Sequence, residues 1–268
     1  MKLGFIGIGN LASAILRGVV AAEFIEPSQI LIYDNFAAKT EQLSMEISVV
    51  KAGSANEVAA SCEAIVIAVK PKDFAALVED IKDDAKKNNP LIISTAAGTE
   101  TAKIVSLFGY DARVIRIMPN INAAVGESMT AACSSQAASH KDKEYTLDLC
   151  SCFGKAIDLE EKYFSAFTAI AGSAPAFAYI FADALANAGI KYGLPATAAQ
   201  EIAAQMLFGS AKMLLESEKS VSDLIRNVCS PGGTTIEGVC SLKETGFENS
   251  VIKAVDKTVE KDILISKK

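Results

Sequence analysis

The sequence predicts an α/β protein, with a doubly wound parallel sheet over residues 1–158 and an all-α region over residues 159–268. Three observations carry this. An apolar run at the N-terminus enters a glycine turn, Gly7-x-Gly9-x-x-Ala12, and continues as a helix-patterned segment, Ser13 to Ala22. Near-continuous Val/Ile/Leu runs then alternate with helical segments, the pattern of parallel strands covered on both faces. Beyond Lys155-Ala156-Ile157-Asp158 the strand signals stop and Ala-rich helical patterns take over.

Strand, glycine turn and helix in that order form a Rossmann-type unit, in which backbone N–H groups and the helix dipole meet a pyrophosphate. Gly7 makes the tight turn, Gly9 admits the phosphate and Ala12 lets helix and strand pack closely. The second strand, Gln29 to Asp34, ends in an acidic residue. The third, Ala64 to Val69, runs into Lys70-Pro71; the fourth, Pro90 to Thr95, into Ala96-Ala97-Gly98; the fifth, Arg113 to Met118, into Pro119-Asn120. Ile47 to Val50 and Ser128 to Ala132 are weaker candidates. Ligands of open parallel sheets bind beyond the carboxyl ends of the strands, so these small residues, amides and one lysine are expected to line a single crevice.

In the second half, Ala174 to Tyr192, Ala196 to Glu216 and Val251 to Ile265 read as helices. Pro175 follows Ser173 as an N1 proline, and Gly193-Leu194-Pro195 separates the first helix from the second. The first two helices are apolar on more than one face. Roughly 110 residues cannot bury that much surface alone, so an obligate dimer is expected. Ser230-Pro231-Gly232-Gly233-Thr234-Thr235 is a turn followed by a helix start. Its free N–H groups and two hydroxyls suit a carboxylate or phosphate; an ordinary Gly-rich turn with a Thr cap reads the same way.

Composition narrows the chemistry. The 268 residues are 50% apolar and 22% charged, with a net charge of −6 and no basic block, which argues against a nucleic-acid partner. No apolar run reaches the ~18 residues of a membrane span, and the first strand starts at Lys2, so a cytoplasmic protein is expected. The six cysteines lack paired metal-ligand spacing, which predicts reduced core thiols and no metal site. His140 is the only histidine and lies in a polar stretch, which argues against a hydroxy-acid dehydrogenase with a His base. Reduction of a C=N bond asks for less. An imine nitrogen is protonated near neutral pH, and its carbon then accepts hydride if the protein holds the reactants together and orients the nitrogen.

Gly4-Phe5-Ile6-Gly7-x-Gly9-Asn10, Ala68-Val69-Lys70-Pro71, Met118-Pro119-Asn120, Gly172 to Phe177, Gly209 to Leu214 and Ser230 to Ile236 together resemble pyrroline-5-carboxylate reductases. The resemblance runs from Lys2 to about Ala254 in the family's order, and the Pro-Gly-Gly-x-Thr block is its most specific part. It implies reduction of 1-pyrroline-5-carboxylate to L-proline with NADPH or NADH, the last step of proline synthesis. It also implies a Rossmann domain and a helical domain intertwined with a second subunit, in dimers or in pentamers of dimers.

By motif match, Gly7, Ile8, Gly9, Asn10 and Leu11 would hold the pyrophosphate. Asn56 matches a ribose contact; Ala68, Val69, Lys70, Pro71, Ala96, Ala97 and Asn120 would flank the nicotinamide side. Ser230 and the Gly232, Gly233 and Thr234 amides would take the substrate carboxylate, and Thr235 the ring nitrogen, as the nearest thing to a catalytic side chain. Glu218 matches a position that contacts the surroundings of that nitrogen across the dimer. Asp34-Asn35 departs from the Ser- or Arg-type residues usual in NADP-preferring members. An aspartate there suits a free 2′-hydroxyl and only Lys39 offers positive charge, so both cofactors are expected to serve. Two rivals remain. A β-hydroxyacid dehydrogenase or imine-reductase-like enzyme would share the opening, but the former needs a lysine that the helix from Ala174 lacks before Lys191. A non-catalytic NAD(P)-sensing dimer would not need the intact Ser230 to Thr235 loop.

Overall fold

The computed structural model describes residues 2–266. Its first part alternates as the sequence predicts: β1 (Leu3–Ile6), α1 (Asn10–Ala21), β2 (Ile30–Tyr33), α2 (Ala37–Ile47), β3 (Val50–Lys51), α3 (Ala55–Ser61), β4 (Ala64–Ile67), α4 (Pro71–Asn88), β5 (Leu91–Ser94), α5 (Thr101–Phe108) and β6 (Val114–Met118). Then come β7 (Ser128–Ser134), α6 (His140–Ser151) and β8 (Gly154–Asp158). The strands form one eight-stranded sheet in the order β3-β2-β1-β4-β5-β6-β7-β8. Side chains alternate across it. Phe5 and Val66 enter one core with Ile15 and Leu16 of α1, whereas Ile6, Ile65 and Ile67 enter the other with Val78 and Ile81 of α4. Both faces are therefore covered, which is why the strands read as unbroken apolar runs.

The sheet departs from the all-parallel expectation at one edge. β1 to β6 pair in parallel, but β7 runs antiparallel to β6, and β8 pairs in parallel with β7. A parallel crossover needs a dozen or more residues, and the link from Pro119 to Glu127 is too short, so the chain folds straight back. Its turn closes at Gly126, whose φ is +75°. β8 then returns by way of α6. The weak candidate at Ile47 to Val50 is also shifted. Ile47 ends α2, and β3 begins at Val50.

The helical part comprises α7 (Phe164–Phe167), a π-helical turn (Thr168–Ser173), α8 (Ala174–Lys191), α9 (Ala196–Glu216), α10 (Val221–Val228), α11 (Thr234–Glu244) and α12 (Phe247–Ser266). Packing separates the chain into two units, one reaching Gly172 and including the end of α12 from Val259, the other spanning Ser173–Thr258. Phe164, Phe167 and Ala171 belong to the first because they pack on Ala131 and Cys133 of β7. In the second, α8 and α9 meet through Ala186, Ala199 and Ala203, while Ile180, Phe208, Leu215 and Val228 stay exposed. The continuous helical run Glu161–Lys191 holds an 18-residue window of mean hydropathy 1.4, long and apolar enough to cross a membrane by length and composition. Sequence inspection for an unbroken apolar run misses it, because the small residues of α8 dilute the apolar ones.

Candidate active site

β1 lies between β2 and β4, so the order of connection reverses there and a crevice opens beyond the carboxyl ends of the strands. Gly7 is held at φ +93° by donating its N–H to Tyr33 O at 2.8 Å. A Cβ at Gly7 would meet the Ala68 carbonyl at 2.9 Å and Val69 Cγ1 at 2.9 Å, so only glycine fits the turn. Gly9 caps α1 in an extended conformation, and a Cβ there would meet nothing within 4 Å. The turn is thus closed on its sheet side and open on its outer side, where the first amides of α1, at Asn10 and Leu11, lack helical acceptors. This cradle fits a dinucleotide pyrophosphate.

The same crevice gathers most of the expected cofactor residues. Ala68 continues β4, donating its N–H to Ile6 O at 2.8 Å; Lys70 is the N-cap of α4 and Pro71 its first residue. Ala96 follows β5, its N–H bonded to Ser94 Oγ at 3.2 Å. Asp34 is spent on backbone. Its Oδ2 accepts the Ile8 N–H at 2.7 Å and its Oδ1 the Phe36 N–H at 2.8 Å. Asn35 Oδ1 accepts the Tyr33 hydroxyl at 3.2 Å.

Two expected contacts are engaged elsewhere. The Asn56 side-chain amide donates to Asp80 O at 2.8 Å and Asp84 Oδ2 at 2.9 Å, both on α4, leaving only its oxygen for a ribose. Asn120 is 7% exposed. Its Nδ2 donates to Ala171 O at 2.9 Å, its Oδ1 accepts the Asn122 N–H at 3.1 Å, and its own N–H bonds Ser128 Oγ at 3.1 Å. Asn120 therefore fastens the π-helical turn to the end of β6.

In the second unit, Ser230 to Thr235 forms a turn with Gly232 at φ +69°, closed by the Gly233 N–H to Ser230 O at 3.0 Å. Gly233 is the N-cap of α11 and makes no side-chain cap bond, so the first amides of that helix point out unmasked. Thr234 and Thr235 are its first two residues, and Glu218 lies on the link between α9 and α10.

The sequence did not reveal a buried ion pair. Arg116 of β6, 4% exposed, bonds Glu161 Oε1 at 3.0 Å and lies over the Phe164 ring, 4.5 Å from its centroid. Glu161 also accepts the Thr101 N–H at 2.9 Å and its hydroxyl at 2.7 Å. An arginine inside the apolar run Val114 to Met118 was the available signal. Around it, burial pushes the Cys133 thiol up to about 12, helped by the nearby Glu161 carboxylate.

Comparison with known proteins identifies the family. Residues 161–263 match the family model for pyrroline-5-carboxylate reductase dimerisation, and residues 2–98 that for NADP oxidoreductases, coenzyme F420-dependent. The pyrroline-5-carboxylate reductase of Escherichia coli K12 is 37% identical over 99% of this chain and 98% of its own length. A pyrroline-5-carboxylate reductase structure from Coxiella burnetii superposes with a TM-score of 0.95 at 28% identity, covering 100% of this chain and 99% of that one. The Plasmodium falciparum pyrroline carboxylate reductase, solved with NADP bound, superposes at 0.88 and 30% identity, covering 99% and 98%.

Proposed function

The chain belongs to the pyrroline-5-carboxylate reductase family, and from that premise we propose that it reduces 1-pyrroline-5-carboxylate to L-proline with NAD(P)H, closing proline biosynthesis. The observation that carries the proposal is the pairing of two motifs on one chain. A phosphate turn opens at a Rossmann switch point, and an uncapped helix start offers amides and hydroxyls to a small anion.

The residues divide the work. Gly7 to Leu11 would hold the pyrophosphate against the first turn of α1, with Asp34, Asn35 and the Asn56 oxygen on the adenosine side. Ala68 to Pro71 and Ala96-Ala97 would border the nicotinamide, with Asn120 supporting that edge from beneath. When bound, the reduced nicotinamide supplies hydride to the imine carbon. Ser230 and the Gly232, Gly233 and Thr234 amides would take the substrate carboxylate, since an uncapped helix start favours negative charge. The Thr235 hydroxyl would bond the ring nitrogen and keep its proton in place, with Glu218 close to the same nitrogen across the dimer. No histidine is needed.

We assign residues 1–158 to dinucleotide binding and 159–268 to dimerisation and substrate binding. The functional assembly is at least a homodimer, in keeping with the dimerisation match, and a pentamer of dimers is the larger form to look for. A cytoplasmic setting suits six cysteines that are all free. The test is NAD(P)H oxidation with 1-pyrroline-5-carboxylate. Wild-type turnover is expected, with Thr235→Ala lowering kcat/KM about 10²-fold. Wild-type silence would overturn the reading, whereas an unimpaired Thr235→Ala would remove only the role of Thr235.

A further inference from the structure

We propose that Lys39, and not Asp34, sets the choice between NADPH and NADH, Asp34 serving instead as a lock on the phosphate turn. The inference rests on nucleotide binding in the crevice but not on the reductase reaction. An acidic residue ending the second strand of a Rossmann unit ordinarily reads a ribose 2′-hydroxyl and repels a 2′-phosphate. Asp34 is placed for other work. Its two oxygens accept the Ile8 and Phe36 N–H groups at 2.7 and 2.8 Å, joining the glycine turn to the start of α2. Two amide donors and the Lys39 ammonium, 3.9 Å away, offset its charge.

Lys39 is the loosely paired partner. At 3.9 Å its contact with Asp34 is at the limit of an ion pair, its side chain is half exposed, and its ammonium lies 5.1 Å from the centroid of the exposed Phe36 ring. A cavity of about 670 Å³ opens between Lys39 and the Ile8-Gly9-Asn10 turn, so lysine and phosphate turn share one space. Arg17 also lines that cavity, but its guanidinium is bidentate on Glu46, at 2.6 and 2.9 Å. Of the two cations, only Lys39 can turn to a phosphate without breaking a strong pair. A chain with this arrangement tolerates the 2′-phosphate despite its aspartate.

The experiment is calorimetric binding of adenosine 2′,5′-bisphosphate and of 5′-AMP to the full-length protein, with no imine present. Wild type is expected to favour the bisphosphate. Lys39→Ala should weaken the bisphosphate about tenfold, close to 1.4 kcal/mol, and leave 5′-AMP within twofold, with Lys39→Arg restoring the difference. Asp34→Asn should loosen both ligands alike and keep their ratio. The proposal falls if Lys39→Ala weakens both ligands equally or neither, if neither ligand binds wild type, or if Asp34→Asn tightens the bisphosphate alone by tenfold or more. An inactive enzyme with these binding ratios would instead defeat the reductase reading and leave the role of Lys39 standing.

Discussion

At the scale of single residues, Gly7 and three cysteines make the sharpest demands. Gly7 combines φ +93° with a sheet-side wall 2.9 Å from any Cβ, so strain and overlap act together. Gly7→Ala should lower stability by about 2 kcal/mol and abolish NADPH binding, read by urea denaturation and by quenching of nucleotide fluorescence. Unaltered binding would show that the turn does not hold the pyrophosphate. Burial raises the thiols of Cys62 to about 11 and Cys133 to about 12, and shifts that of the fully buried Cys150 upward as well. In each case the folded state favours the protonated form. The sign follows from proton counts. Above about pH 9 the unfolded chain has released these protons and the folded chain has not, so stability falls as pH rises, by up to about 1.4 kcal/mol per pH unit for each thiol. Below pH 9 the contribution is complete. Thermal unfolding between pH 8 and 11 should show this alkaline loss, and Cys133→Ala should flatten it. An equal slope in that variant would refute the assignment.

Among elements, the most consequential junction is that of β6 with α7 and the π-helical turn. Glu161 binds both Arg116 and the start of α5, and Asn120 catches the Ala171 carbonyl. Glu161→Ala would strand the buried Arg116 charge and should cost about 3 kcal/mol, whereas the double change with Arg116→Met should recover most of the loss. Chemical denaturation of the three variants measures this, and additive losses would deny the coupling. These elements also mark how far the sequence could be read. The Rossmann strands were legible because burial on both faces leaves an unbroken apolar signal, and Ala196–Glu216 was bounded to the residue by Pro195 and the polar Ser217. The reversal of β7 and the pairing of β8 beside it were not, since direction depends on link length and on partners distant in sequence. The π turn was equally hidden, because the partner of its Ala171 carbonyl, Asn120, lies 51 residues earlier. Within the site, the turn at Gly7 was readable from backbone need alone, whereas Gly9, at φ −91° with open space around it, carries no such need. The engagement of Asp34 with Ile8, and of Asn56 with α4, was not, because a side-chain oxygen meets an amide only after both elements are placed.

For the whole molecule, the second unit has a deficit of cover. Ile180, Phe208 and Leu215 lie open on two helices whose shared core is three alanines, Ala186, Ala199 and Ala203. Alanine contacts alone bury too little apolar surface to offset the ordering of that many residues. Residues 161–263 match a dimerisation family, which supports a second copy as the cover for this surface. The consequence is thermodynamic. If folding and association are one event, stability depends on protein concentration, and each tenfold dilution removes about 1.4 kcal/mol per dimer. Over a hundredfold dilution the midpoint of thermal unfolding should fall by roughly 2–3 °C. Phe208→Asp, placing a charge on the exposed face of α9, should shift the protein to monomer in sedimentation and lower the midpoint further. It should also abolish the dilution effect, because association then no longer contributes. A midpoint independent of concentration in wild type, together with an unchanged sedimentation coefficient in Phe208→Asp, would mean that the helical unit is stable alone and that this face is not the one covered.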